Sequence, residues 1–520
     1  MNGTGIKKHP DSMVWGKKDL SARAKCFDMT SGRKIVVLNE EEAIENDIYP
    51  SYRVMVENAG KQTVAIANLS RDLVKRGEIG IYVEVSEELS LHDGTMVRLR
   101  QMDRPSAIEF IKKKLDGKEI GENEMKIIIA DLMDNRLSEA ELSAFITAMY
   151  IRGTTDNEVV YLSDAIVESG DVLDIQRHPI VDKHCIGGIA GNRTTMLVVP
   201  ICAAAGLFMP KTSSRSITSA AGTADTMEVL APVDLEIEEV KEVVLKSHGC
   251  IVWGGGMNLA SADDRLIRIR HPLSLDPKGV MLASILAKKK SVCAEYVVID
   301  IPVGRGAKIS DPKEANSLAN DFISIGKRLG MKIEVLITDG SDPIGCGVGP
   351  ALECRDVFDV LEGKGPSDLR DKSCQMAGVL MELCKKVEKG KGYAVANEII
   401  SSRKALSKFR EIIELQGGNG KVKRDEIEVG KYAHEVLAHA TGRISHVDNR
   451  MISKIARAAG APADKGAGLY MNFEQGDRVK KGEVLFKIYA QSEAKLDFAI
   501  KTLESWEAFE LQKVILNTVE

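Results

Sequence analysis

Several classes of protein are excluded by what this sequence lacks. It has no apolar run long enough for a membrane-spanning helix, which needs about 20 residues. The longest run, Met196 to Pro210, is interrupted by Pro200 and predicts a buried core helix. There is no basic surplus: 76 acidic residues outweigh 71 basic ones, the net charge is -5, and no electrostatic footprint for nucleic acid is left. The first residues, Met1 to Lys8, lack the apolar stretch of a secretion signal. Nine cysteines are present, an odd number, and no two form a C-x-x-C pair. Disulfide frameworks and zinc ribbons both need paired spacing, so a reducing cytoplasm is expected, with Cys185 a small packed residue and not a nucleophile.

The widespread nucleotide motifs are missing as well. There is no G-x-x-x-x-G-K-[ST]; Gly304-x-Gly306 meets Ile309 where a third glycine is required, and Gly345-x-Gly347-x-Gly349 fails the same pattern. His434-Glu435 followed by His439 has the wrong spacing for a zinc-protease pair and predicts a solvated helix face. Neither a metal nor a cofactor is expected.

What the sequence does contain is two phosphate-like loops close together. The first runs from Asp182-Lys183-His184-Cys185 through Gly187-Gly188 to Arg193-Thr194-Thr195. The second runs from Lys211-Thr212-Ser213-Ser214-Arg215-Ser216-Ile217-Thr218-Ser219 through Gly222-Thr223-Ala224-Asp225 to Glu228. Glycines let backbone N–H groups approach an anion, hydroxyls donate to it, and lysine adds a point charge. One such loop is common; two describe a reaction between anions.

At 520 residues the chain exceeds one core and predicts several domains. β-Branched runs at Lys34–Leu38, Tyr52–Val56 and Gly80–Val85 predict a β-rich N-terminal domain over 1–104. Helical spacing follows over 105–180, with part of 200–270, and includes capping boxes at Ser138-x-x-Glu141 and Thr155-x-x-Glu158. Residues 181–415 alternate apolar strands such as Gly249–Trp253, Ser291–Asp300 and Lys332–Ile337 with helices, the pattern of a mostly parallel α/β domain. An α+β domain is expected over 416–520, with Gly476–Gly482 as a hairpin turn. In a parallel sheet the glycine loops would lie at the carboxyl ends of strands.

Lys183-His184-x-x-Gly187-Gly188, and Ser213-x-Arg215 through Gly222-Thr223-x-Asp225-x-x-Glu228, resemble the signatures of the thymidine/pyrimidine-nucleoside phosphorylases. The likeness continues at Ala283–Lys289, Val303-Gly304-x-Gly306-Ala307 and Gly347–Glu353, and covers roughly 105 to 490. Departures are specific. One residue is inserted within Ala190–Arg193, Ser214 replaces a family glycine, Cys185 stands for a phosphate-binding serine, and Lys308 for an aromatic residue. The strand-rich segment before Pro105 is also additional. These departures resemble an archaeal branch of the family that acts on nucleoside 5′-monophosphates.

The resemblance implies a pentosyltransferase: phosphorolysis of AMP, and of CMP and UMP, with inorganic phosphate, giving free base and ribose 1,5-bisphosphate. It implies phosphate holders at Lys183, Ser213 and Thr223, with Thr195 as a further hydroxyl. It implies nucleotide contacts at Gly188, the Ser214–Ser219 run, Thr223, Arg270, Ser284 and Lys308. A lysine in place of an aromatic group is what a 5′-phosphate demands electrostatically. The proton donor to the base is Asp276, eight residues before Ser284, or His184, which needs less perturbation. Near Asp276 the chain is one residue shorter than the nucleoside enzymes, and His271 replaces an acid. The family further implies helical and α/β domains closing on the site, and a homo-oligomer, dimer or larger. The alternatives are a nucleoside phosphorylase, a metal-dependent phosphoribosyltransferase of similar fold, and a non-catalytic carrier or nucleotide-binding protein.

Overall fold

The computed structural model describes residues 19–216, 219–504 and 508–512. Two compact units divide the chain: residues 1–165 with 262–280, and residues 166–261 with 281–520.

In the first unit, six strands among the described residues close into a barrel in the order Leu20–Cys26, Glu78–Ile81, Ile35–Asn39, Lys61–Ser70, Arg53–Asn58, Met96–Gln101. Alternation builds it. In Arg53–Asn58, Val54 and Val56 are buried while their neighbours are not, and these valines join Val36, Leu38, Ile79, Ile81 and Leu99 in the barrel core. Closure also leaves no unpaired edge. The segment Gly80–Val85 departs from expectation. The strand ends at Ile81, and Val83–Leu89 is a helix that buries Val85 and Leu89. The i,i+4 pairing of those two against the core outweighs the β preference of the valines.

Helices Ala107–Leu115, Glu122–Met133 and Glu139–Arg152 follow. Both capping boxes form: Ser138 and Glu141 exchange hydrogen bonds, as do Thr155 and Glu158. Glu158 does more than cap. It is fully buried, accepts from Ile120 N at 3.0 Å, and holds the buried Lys114 ammonium at 2.7 Å.

In the second unit, strands Val181–Cys185, Tyr296–Val303 and Lys332–Asp339 pair in parallel, as do Met209–Ser213 and Gly249–Trp253. A parallel bridge from Ile180 to Phe208 joins the two groups, so their carboxyl ends share one edge. Helix Thr194–Ala204 lies wholly in the core beside Met376, Leu380, Phe409 and Ile412. The apolar run expected as one buried helix therefore divides into this helix and the strand beginning at Met209. Helices Ser367–Leu383, Gly392–Ser401 and Lys404–Leu415 complete this core.

Beyond it, Gly347–Val348, Gly468–Met471, Val484–Ala490 and Tyr432–Leu437 form an antiparallel sheet, and helix Asn449–Ala458 packs Met451, Ile452, Ile455 and Ala456 into a separate core. His434 and Glu435 thus lie on a strand, not on a helix face; the strand pairs with Val484–Ala490, which spacing alone did not reveal. Gly476 and Gly482 occupy two separate turns, at φ +94 and +90, flanking the short strand Arg478–Val479, so a single hairpin turn is also corrected. The fold class is that expected: a helical part, a mostly parallel α/β part, an N-terminal β part and a C-terminal α+β part. Among the described residues no helix is long and apolar enough to cross a membrane.

Replacing Glu158 by alanine strands the Lys114 ammonium and two N–H groups in the interior. The expected cost is about 3–5 kcal/mol, read as a first calorimetric unfolding transition lowered by roughly 10 °C; a shift of a degree or less would mean the pair is structurally idle.

Candidate active site

Three loops leave the shared carboxyl edge: Ile186–Arg193 after Cys185, Ser214–Gly222 after Ser213, and Gly304–Lys308 after Val303. Their convergence is set by glycine. Gly187 and Gly188 have φ of +95 and +97, and a Cβ on Gly188 would lie 2.6 Å from the backbone nitrogen of Lys308. Only glycine lets the first loop rest on the third.

Beneath the first loop lies an unusual concentration of buried charge. Lys183 and Lys289 are 2% and 1% exposed, and Lys211 and Asp182 are buried with them. Asp182 holds Lys289 at 2.6 Å and Lys211 at 3.3 Å, and accepts from the Lys183 backbone at 2.7 Å. The Lys183 ammonium forms no ion pair among the described residues; it donates to Thr194 Oγ1 at 2.7 Å. Burial pushes Lys183 and Lys289 down, Lys289 to about 7, because a charge without solvent is costly. His184, half-buried and beside Lys289, Lys211 and Lys183, is held well below its ordinary value by burial first and these cations second. It is a neutral imidazole at neutral pH. Burial likewise pushes the Cys185 thiol up to about 11, so it is not a thiolate; its sulfur accepts from Gly187 N and Asn192 Nδ2, both at 3.4 Å.

The second loop is organised by carboxylates. Asp225 accepts from the backbones of Ser216 at 2.7 Å and Gly222 at 2.9 Å. Arg215 lies over the Trp253 ring and bonds Glu228 in bidentate fashion at 2.7 and 2.6 Å. Lys465 reaches Glu228 at 2.6 Å. The Arg215 hydrogen bonds, then Lys465, hold the Glu228 carboxyl down at about 2. Ser216 and Ser219 hydrogen-bond one another, and Ser213 and Ser214 border the loop's opening. Ile217 and Thr218 lie outside the described residues.

The residue that ties the loops together is one the sequence named only as part of an insertion. Arg193, buried, donates to Thr223 Oγ1 at 3.2 Å and Ala221 O at 3.0 Å and forms an ion pair with the buried Glu353. Its partners are distant in sequence, so only the inserted residue itself could have signalled it. Thr195 is the second residue of helix Thr194–Ala204 and is buried, as is Ser284 within helix Lys278–Ser291. Lys308 is exposed on the third loop, its ammonium 3.3 Å from Met281 Sδ. Arg270 and Asp276 belong to the other unit, where Arg270 Nη1 donates to Asp276 Oδ1 at 2.7 Å.

Comparison with known proteins gives the class first. Residues 108–170 match the helical bundle domain, and 177–406 the a/b domain, of the glycosyl transferase family; 443–507 match the pyrimidine nucleoside phosphorylase C-terminal domain. The fold is also that of anthranilate phosphoribosyltransferase from Thermus thermophilus, with a TM-score of 0.51, 20% identity, and coverage of 59% of this chain and 98% of that one. Over nearly the whole length the chain is 44% identical to the AMP phosphorylase of Pyrococcus furiosus (96% of this chain, 100% of the relative) and 45% identical to that of Thermococcus kodakarensis (96% and 99%). AMP phosphorylase 1 of Archaeoglobus fulgidus is 44% identical over 94% of this chain and 96% of its own. The chain belongs to the family that these AMP phosphorylases form.

Arg193→Lys keeps a charge near Glu353 but loses the fork that spans Thr223 and Ala221. The apparent KM for phosphate should rise roughly tenfold or more in steady-state assays, and an unchanged KM would remove Arg193 from the loop bracket. Because Glu228 is depressed from 4.5 to about 2, its network stabilises fully above pH 4.5 and is lost as pH falls through about 2. The difference in Tm between the native chain and Glu228→Gln should therefore be constant near neutrality and shrink over that window.

Proposed function

We propose that the chain catalyses the reversible phosphorolysis of AMP to adenine and ribose 1,5-bisphosphate, a pentosyl transfer to phosphate, and that CMP and UMP are also substrates. One observation carries this: the close contact of Gly188 with the Lys308 backbone sets a loop above a buried cationic cluster against a second loop bearing a lysine. Two anion sites side by side suit an attacking phosphate and a 5′-phosphate.

In this reading the attacking phosphate is held by Lys183, Ser213, Thr223 and Thr195. A buried ammonium that ends on a hydroxyl gains most from an incoming dianion. Phosphate attacks C1′ as the glycosidic bond opens through an oxocarbenium-like state, with inversion and no covalent enzyme intermediate. The protein's contribution is to place the two reactants and to stabilise developing charge. Gly188, the Ser214–Ser219 run and Lys308 hold the nucleotide's phosphate and sugar, and Ser284 and Arg270 contact sugar and base.

Asp276 is the proton donor to the departing base: Arg270 releases it to engage the substrate, and the carboxyl takes up a proton from solvent before giving it to the base. His184 is the weaker choice, since burial and then its cationic surroundings keep it a neutral imidazole, a weak acid. Its role is to position the loop. The nine cysteines, all free thiols, support a reducing cytoplasm. The division into 1–104, 105–180, 181–415 and 416–520, and a homo-oligomer of two or more copies, remain part of the same proposal.

Incubation with AMP and phosphate, with and without a chelator, tests the reaction. Adenine release should require phosphate or arsenate, survive the chelator, and exceed release from adenosine; phosphate-independent release, or equal use of adenosine, contradicts the reading. Asp276→Asn should lower kcat by about 10²–10⁴ and His184→Asn by much less, and the reverse order would transfer the acid role to His184.

A further inference from the structure

Besides Lys465, the C-terminal part of the chain brings one helix to the site. Helix Asn449–Ala458 buries Met451, Ile452, Ile455 and Ala456, and its opposite face carries Arg450, Lys454 and Arg457 at spacings of four and three residues. That face borders a cavity of about 460 Å³ whose lining also includes Gly188, Ser219 and Lys308. Among the described residues, four cations and no carboxylate line this cavity, in a chain whose net charge is -5. The helix is also tied to both phosphate loops. Asn449 Oδ1 accepts from Ala190 N at 2.9 Å, its Nδ2 donates to Gly340 O at 3.1 Å, and Arg457 Nη1 donates to Ser219 O at 3.1 Å.

We propose that this helix forms the second wall of the 5′-phosphate site: Arg450 and Lys454 face the dianion from the side opposite Lys308, and Asn449 and Arg457 position the two loops. The inference rests on the reading of Lys308 as the 5′-phosphate cation. A solvated charged face would be the plain alternative, but Arg450, Lys454 and Arg457 converge on the same cavity that Gly188, Ser219 and Lys308 line, where a dianion can meet cations from two sides. Recognition of a nucleotide in preference to a nucleoside is then built from two distant segments of one chain.

The test compares kcat/KM for AMP and for adenosine in the native chain, Lys308→Ala, and Arg450→Ala/Lys454→Ala, with thermal unfolding of each. The double variant should lower the AMP-to-adenosine ratio at least tenfold, mainly through KM for AMP, and Arg450→Lys/Lys454→Arg should restore it. A merely structural role would lower both substrates together and leave the ratio unmoved, which overturns the inference. If the double variant unfolds early, the single Lys454→Gln, at an exposed position, decides on the same ratio. Should Lys308→Ala abolish the preference while the helix variants retain it, only the helix inference fails; should Lys308→Ala retain it, the reading of Lys308 fails first.

Discussion

Asp182 is buried among lysines. It pairs with Lys289 and Lys211, while Lys183 beside it ends on the Thr194 hydroxyl. Two ammonium groups on one buried carboxylate, with a third buried ammonium held by a hydroxyl, cost free energy in an interior, because each loses hydration that these partners replace only in part. Burial lowers Lys289 and Lys183 and holds His184 uncharged, and neighbouring cations add to it. In the proposed reading an anion arriving above the first loop offsets this cost. The loops, the sheet edge and the bracketing arginine are arranged around this charge.

Four devices hold the loops in place. The parallel strands bring every loop to one edge, as their geometry requires. Glycine at 188 removes the side chain that would separate the first loop from the Lys308 loop. Arg193 then joins the first loop to the second through Thr223, anchored on buried Glu353. Asp225 and Glu228 fold the second loop on itself, with Lys465 reaching in from the C-terminal segment. Each device is a short-range contact, and together they give the rigidity that positioning catalysis needs.

Much of this was legible in sequence where the signal is local. β-Branched runs marked a β-rich N-terminal part, though not its closure into a barrel, and Ser138-x-x-Glu141 and Thr155-x-x-Glu158 marked helix starts, because each pattern acts over a few residues. Val83–Val85 and His434–Glu435 were misread for the converse reason: burial of Val85 with Leu89, and pairing with Val484–Ala490, are tertiary facts. In the site, the two loops stand out by glycine, hydroxyl and charge, and Lys308 by its departure from the family it resembles. Arg193, Lys465 and helix Asn449–Ala458 do not. Asn449 meets its partner Ala190 across 259 residues of chain, a separation no spacing rule encodes.

Following the protein with AMP and inorganic phosphate by phosphorus NMR examines the two-anion site most directly. One ribose carrying phosphate at both C1 and C5 should accumulate in step with free adenine, and should be consumed again when adenine is added in excess. Formation of ribose 5-phosphate, the hydrolysis product, or no turnover unless the 5′-phosphate is first removed, would contradict it.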